Sequence, residues 1–154
     1  MAENQAWNHA SQVIGRTVAA TLSGIQQEVS QRAYRAGNEL RNASLFVLRG
    51  KRSGKVYRVP NTRQTYRASA PGEAPALRTG VFRLSWGTHV RVEKSGNHFR
   101  AISAIESRER AGGRLLGEML ENGTGRTAPR PYKQKVINRA LPKVKAIYQK
   151  PYKG

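Results

Sequence analysis

The sequence predicts an α+β fold in a single domain, 1–154. It has a long N-terminal helix, a small antiparallel sheet with an extended arginine-rich arm, and C-terminal helices. Three observations carry this prediction. Apolar residues recur at helical spacing over the first 48 positions. Short β-branched and aromatic stretches follow between residues 56 and 105. Helical spacing then returns after Leu115 and again after Lys133. The expected division is a helix over 1–48, an arm or linker over 50–76, and sheet with C-terminal helices over 77–154.

In the first segment Trp7, Ile14, Val18, Leu22, Ile25, Val29, Ala33, Ala36 and Leu40 fall mostly three or four apart, which lines them on one stripe. Gly15, Gly24 and Gly37 each weaken a helix by up to ~1 kcal/mol relative to Ala, and Gly37 offers a point for a kink or break. The stripe either faces the core or packs in part on a neighbouring subunit. A helix this long carries more apolar stripe than the rest of the chain readily covers.

Gly50-Lys51-Arg52-Ser53-Gly54 ends the helix. Val56–Val59 and Thr65–Ala68 read as short strands about Pro60-Asn61-Thr62. Arg52, Arg58, Arg63 and Arg67 recur there, which suggests a flexible arm. Such an arm either lies on a neighbouring protein or stacks on bases through Tyr57 and Tyr66. Arg58, Arg63 and Arg67 are assembly candidates; Lys51, Arg52, Tyr57 and Tyr66 are candidates for facing DNA.

Ala70–Ala76, with Pro71 and Pro75, is expected to be a rigid extended link. Thr79 is expected to cap a short helix that points Val81, Leu84 and Trp86 inward. His89–Glu93 and Phe99–Ile105 read as a hairpin around Lys94-Ser95-Gly96-Asn97, with Val90, Val92, Phe99 and Ile105 as core candidates. Gly112-Gly113 marks a break. Leu115, Leu116, Met119 and Leu120 form a helical face ended by Asn122-Gly123. Lys133–Tyr148 is a basic helix that Pro142 should kink or end partway. Pro151–Gly154 should fray.

Lys and Arg number 28 against nine acids, for a net charge of +19. The charge is uneven. Residues 1–30 hold Arg16 against Glu3 and Glu28, net −1, while 31–154 hold 27 basic against 7 acidic residues, net +20. Such a field favours polyanions: nucleic acid, an acidic protein surface or anionic lipid. Cysteine is absent, which excludes disulfides, thiolate metal sites and Cys nucleophiles. All nine acids are glutamate, so Asp-based triads and paired-Asp magnesium sites are excluded as well. No run approaches the ~20 apolar residues of a membrane span, and the N-terminus lacks the apolar core of a secretory signal.

An enzyme is not expected, and neither is a metal or cofactor. His89 and His98 could approach across the hairpin, but a third ligand is lacking; they read as exposed hairpin residues. Glu118 and Glu121 lie i,i+3 on one helix and read as a pair neutralising Arg114 or Arg126. The glycines at 112–125 are followed by no Gly-Lys-Ser/Thr, so they form no P-loop.

The stretch Leu116 to Tyr132 joins an aliphatic run, Glu121-Asn122-Gly123-Thr124, a short basic link and Pro129-Arg130-Pro131-Tyr132. This resembles the tail-completion and neck (head–tail joining) proteins of long-tailed double-stranded DNA phages. In that family an aliphatic stretch ends in Glu-x-Gly-Thr, and a basic link leads to Pro-x-Arg-Pro-aromatic and a last helix. Ser69-Ala70-Pro71-Gly72-Glu73 with Thr79-Gly80 resembles the family's link from first helix to sheet. The resemblance covers about 69–148. The long N-terminal helix, the arginine-rich insert 51–68 and the high charge depart from it, as does the aliphatic run at Leu115–Leu120, where the family commonly shows tyrosine-rich strand-like sequence. The resemblance implies a homo-oligomeric ring, a hexamer, at the head–tail junction of the virion, made in the host cytoplasm. Its partners would be head-closure or connector and tail-terminator or tail-tube proteins, with contact to passing double-stranded DNA and none to membrane. Arg126, Pro129, Arg130, Pro131 and Tyr132 would then be assembly residues. The alternative is a basic nucleic-acid-binding protein of ribosomal or nucleoid type, without catalytic activity.

Overall fold

The structure is a computed structural model that describes residues 2–96 and 98–152. The first element, α1, is one helix over Ala2–Arg49, about 72 Å long at 1.5 Å per residue. It runs through Gly37 without a break. Gly37 is there because space is short: a Cβ would stand 2.2 Å from Ser103 Oγ and 2.4 Å from Thr88 Cγ2. The glycine lets a β-ribbon lie directly on the helix backbone.

Two short strands follow, β1 (Val56–Arg58) and β2 (Thr65–Arg67), paired antiparallel with Tyr57 opposite Tyr66. After them come the one-turn helix α2 (Val81–Leu84) and the main ribbon, β3 (Gly87–Ser95) against β4 (His98–Glu106). The predicted ribbon turn includes Asn97, and the predicted frayed tail includes Lys153 and Gly154; all three lie outside the described residues. A third ribbon, β5 (Arg110–Ala111) with β6 (Arg114–Leu115), turns on Gly112 and Gly113, both at positive φ. The expected break there is a tight hairpin, because glycine admits that backbone without a Cβ clash. Then come α3 (Leu116–Asn122) and α4 (Lys133–Tyr148). Among the described residues the strands thus form three separate two-stranded antiparallel ribbons.

Helix α4 runs on through Pro142, so of the two outcomes expected there, a kink or an end, it does not end. It lies antiparallel along the second half of α1. Arg32 of α1 meets the carbonyls of Lys150 and Pro151, Glu39 pairs with Lys143 at 2.9 Å, and Phe46 stacks on Arg139. Arg32 also holds Glu28 and sits 3.9 Å from the centre of the Tyr152 ring. The described part of the tail, Pro151 and Tyr152, is therefore pinned rather than frayed.

The core lies where α1, α4 and α2 meet. Ala43, Leu48, Ala74, Tyr132, Val136 and Ala140 are buried in it. Phe82, Trp86 and Tyr132 form a triangle of edge-to-face rings with centroids 5.7–5.9 Å apart. Val81 and Leu84, expected to point inward, are exposed; Phe82 takes that side together with Trp86. Two large aromatic faces gain more from burial than two aliphatic ones, and that sets the rotation of α2. The short helix is N-capped by Gly80, and the hydroxyl of Thr79 beside it accepts a long hydrogen bond, 3.5 Å, from the Val81 amide. Of the ribbon's expected core residues, Ile105 packs against the core, Val90 and Phe99 are partly buried, and Val92 is exposed.

The glycines of α1 should respond oppositely to alanine. Gly15 and Gly24 have open space around them, so alanine there should stabilise by up to ~1 kcal/mol. Gly37→Ala adds a methyl group in a filled contact, and its packing cost of about 1–3 kcal/mol should exceed that gain. Thermal unfolding of the three single variants checks the sign; a stabilised Gly37→Ala would contradict the packing described.

Candidate assembly surfaces

The stripe of α1 leaves the body near Gly24. Ala33 and Ala36 are buried at 0% and 3% exposure, and Ile25, Val29 and Leu40 are partly covered. Further toward the N-terminus, Leu22, Val18, Ile14 and Trp7 are 52–72% exposed. Covering each of them would gain roughly 1–3 kcal/mol. The same half of the helix is poor in helix formers: Val13, Ile14, Thr17, Val18 and Thr21 are β-branched, and Gly15 and Gly24 interrupt it. An isolated helix of this kind is marginal in water. Its charge is almost nil, with Arg16 the one charged residue between positions 4 and 27.

The arm is fastened at its base. Arg52 donates to the carbonyls of Val47, Gly50, Lys51 and Pro75, tying the end of α1 to the return of the arm. The Glu73 carboxylate accepts from the Ser53 hydroxyl at 2.7 Å and from the amides of Ser53 and Ala70. The segment 70–76, expected to be extended, instead turns: Glu73 N–H donates to Ala70 O, Gly72 has φ 78°, and Ala74 and Pro75 are buried. That carboxylate cage needs a turn to assemble, which overrides the extended preference of the two prolines. Ser69 is buried and its hydroxyl donates to Ala74 O.

Beyond this base the β1–β2 ribbon is largely exposed. Residues alternate faces along a strand, so the pairing register sorts the interleaved sequence. Tyr57 and Tyr66 share one face, with ring centroids 6.1 Å apart. Val56, Arg58, Thr65 and Arg67 share the other. Arg58 and Arg63 are exposed, and Arg67 donates to Gly54 O. Lys51 is exposed, while Arg52 is occupied within the fold as described.

The corner around Pro129-Arg130-Pro131 holds three elements together. Arg130 N–H donates to Leu120 O of α3, and its guanidinium donates to Ser69 O at the arm base. Pro129 O accepts from Gly72 N–H. Arg130 is therefore engaged inside the protomer, whereas Arg126 is exposed. Tyr132, expected at an interface, lies in the core at 2% exposure, its hydroxyl donating to Gly117 O. Burial and the nearby Glu121 push that phenol well above the ordinary tyrosine range.

Glu121 does not serve Arg114 or Arg126. Its carboxylate accepts from the amides of Tyr132 and Lys133 and so caps α4, which begins on Tyr132 with no capping side chain of its own. A helix that opens without Ser, Thr, Asn or Asp was the signal for such a remote cap. Beside the corner lies a groove of about 530 Å³, lined by Leu77, Val81, Phe82 and Leu120 and rimmed by Arg78 and Arg130.

His89 and His98 are kept apart by the ribbon register. His89 pairs with Ala104 and His98 with Ser95, six residues along the ribbon or about 20 Å. His89 lies 3.2 Å from Glu106. Among the described residues no group of three or more His, Cys, Asp or Glu could hold a metal ion. Among the same residues no helix is long and apolar enough to cross a membrane. No family model, no curated protein and no solved structure matches the chain.

The Glu73 cage sets a pH dependence. Hydrogen bonds from Ser53 and Ala70 lower its pKa from 4.5 to about 2. The folded value lies below the unfolded one, so its stabilisation is complete above about pH 4.5 and is lost as pH falls toward 2. Side-chain NMR titration should place the Glu73 midpoint near 2, and Ser53→Ala should raise it. An ordinary midpoint in the unmodified chain would contradict the cage.

Proposed function

We propose that the chain is a structural subunit of a phage neck, forming a ring that completes the tail or joins it to the DNA-filled head. The observation that carries this reading is the uncovered stripe of α1. A helix with Trp7, Ile14, Val18 and Leu22 in solvent is a half-made interface, and such surfaces belong to assemblies. The order of motifs from Ser69 to Tyr148 supports placing that assembly at the head–tail junction. In this reading the protein is structural rather than catalytic. The arm and the Arg126 edge face acidic partner rings, and the basic surface tolerates passing DNA.

A second reading, a nucleic-acid-binding protein of ribosomal or nucleoid type, is favoured by one feature. Exposed Tyr57 beside half-buried Tyr66 offers a stacking surface on an arginine-bearing ribbon. Against it, Arg58 and Arg67 lie on the opposite face of that ribbon, so rings and phosphate-binding groups do not converge.

Quantitative mass spectrometry of purified virions of the source phage separates the two. The neck reading expects about six or twelve copies per particle, the number that the family resemblance implies for a closed ring. Absence from virions, together with DNA affinity that falls steeply with salt, would overturn it in favour of the second. Arg126→Glu should impair tail joining while leaving the fold intact, because Arg126 is exposed. Arg130→Glu would not serve, since Arg130 braces the arm base.

A further inference from the structure

The apolar arc of α4 is wider than α1 covers. Val136 and Ala140 are buried, and Val144 packs against the core. Adjacent to them, Ile137, Leu141 and Tyr148 form a second line at i, i+4 and i+11, 41–47% exposed. The chain thus carries two uncovered apolar lines, one on the first half of α1 and one on the outer edge of α4. α1 is one continuous helix, so its first half cannot fold back onto its own α4.

We propose that the exposed stripe of α1 docks on the outer edge of α4 of a second copy of this chain. The proposal deepens the assembly reading above and rests on it only in taking the partner to be a second copy. Charge selects the pairing. From Lys133 to Lys150, α4 and its end carry Lys133, Lys135, Arg139, Lys143, Lys145 and Lys150 and no acid. Two such faces repel each other. The docking segment, residues 5–24, carries Arg16 as its one charged residue, against six cations on α4 and its end, so it meets α4 with far less repulsion than a second α4 would.

Length agrees with charge. Residues 5–24 of α1 span about 30 Å and the 16 residues of α4 about 24 Å, so one can lie along the other. The contact also continues an existing one: α4 already holds its own α1 on Val136 and Ala140, and the incoming helix takes the adjoining edge. An α1–α1 contact would leave the α4 edge bare, while α1 on α4 covers both. The two surfaces differ, so the contact is heterologous and propagates into a ring or a filament rather than closing as a two-fold dimer.

Complementation tests this pairing. Val18→Glu/Leu22→Glu spoils the α1 face and Leu141→Glu spoils the α4 edge. Light scattering should show the unmodified chain as a multimer and each variant alone as a 17.1 kDa monomer. A mixture of the two variants should form a one-to-one heterodimer and stop there, because one intact contact remains. Should Leu141→Glu lose its circular dichroism, the milder Leu141→Cys replaces it. The chain has no cysteine, so a disulfide between Leu22→Cys and Leu141→Cys chains reports the contact directly. A Leu141→Glu protein that folds and still assembles, or Leu22→Cys chains that cross-link to each other, would overturn the proposal in favour of α1–α1 pairing. An unmodified chain that stays monomeric at tens of micromolar would overturn it as well. None of these three results touches the copy number in virions, so the neck reading stands or falls separately.

Discussion

The structure depends on one imbalance: α1 is longer than the body that it packs on. Its second half is covered by α4 and the main ribbon, closely enough that residue 37 has no room for a side chain. Its first half continues the same apolar line into solvent. Burial at the covered end fixes the helix axis, and the axis then carries the uncovered end out as a straight extension. The fold therefore builds an adhesive surface by length alone, with no special loop or ligand. The near-neutral composition of that extension keeps it free of the repulsion that a +19 chain otherwise meets in any second copy.

The body below α1 is held at the corner around Tyr132. Its ring closes the aromatic triangle, its hydroxyl reaches α3, and its amide is capped by Glu121. Two residues earlier in the clamp, Arg130 ties α3 to the arm base. The arm base is in turn closed by Arg52 and Glu73. This chain of contacts explains why a stretch rich in Gly, Pro and Arg has a defined course: charged side chains satisfy backbone carbonyls and amides that lack a ladder partner. Only the β1–β2 ribbon stands clear of it.

The main elements were legible in the sequence. Helical spacing marked α1 and α4, and β-branched alternation marked the two longer hairpins, because local pattern and tertiary environment agree there. The readings that failed depend on contacts distant in sequence. Sequence proximity pairs Glu121 with neighbouring arginines, yet it caps a helix 11 residues away. Tyr132 and Arg130 were read as interface residues from their motif, but the corner turns them inward. Val81 and Leu84 yield the inward face of α2 to Phe82, which joins Trp86 there, a choice made by ring packing against Tyr132. The uncovered stripe itself was foreseeable as an excess of apolar residues; where along α1 the cover would stop was not, since that depends on the position of α4.

Hydrogen–deuterium exchange of the unmodified chain, followed as a function of protein concentration, tests the central claim most directly. The backbone amides of residues 10–24 belong to a helix of weak formers whose stability depends on covering the stripe. If α1 is a subunit interface, their exchange slows markedly as concentration rises, while amides of residues 30–48 stay protected throughout. Exchange of residues 10–24 that is fast at every concentration, or equally slow at the lowest, would contradict an interface there.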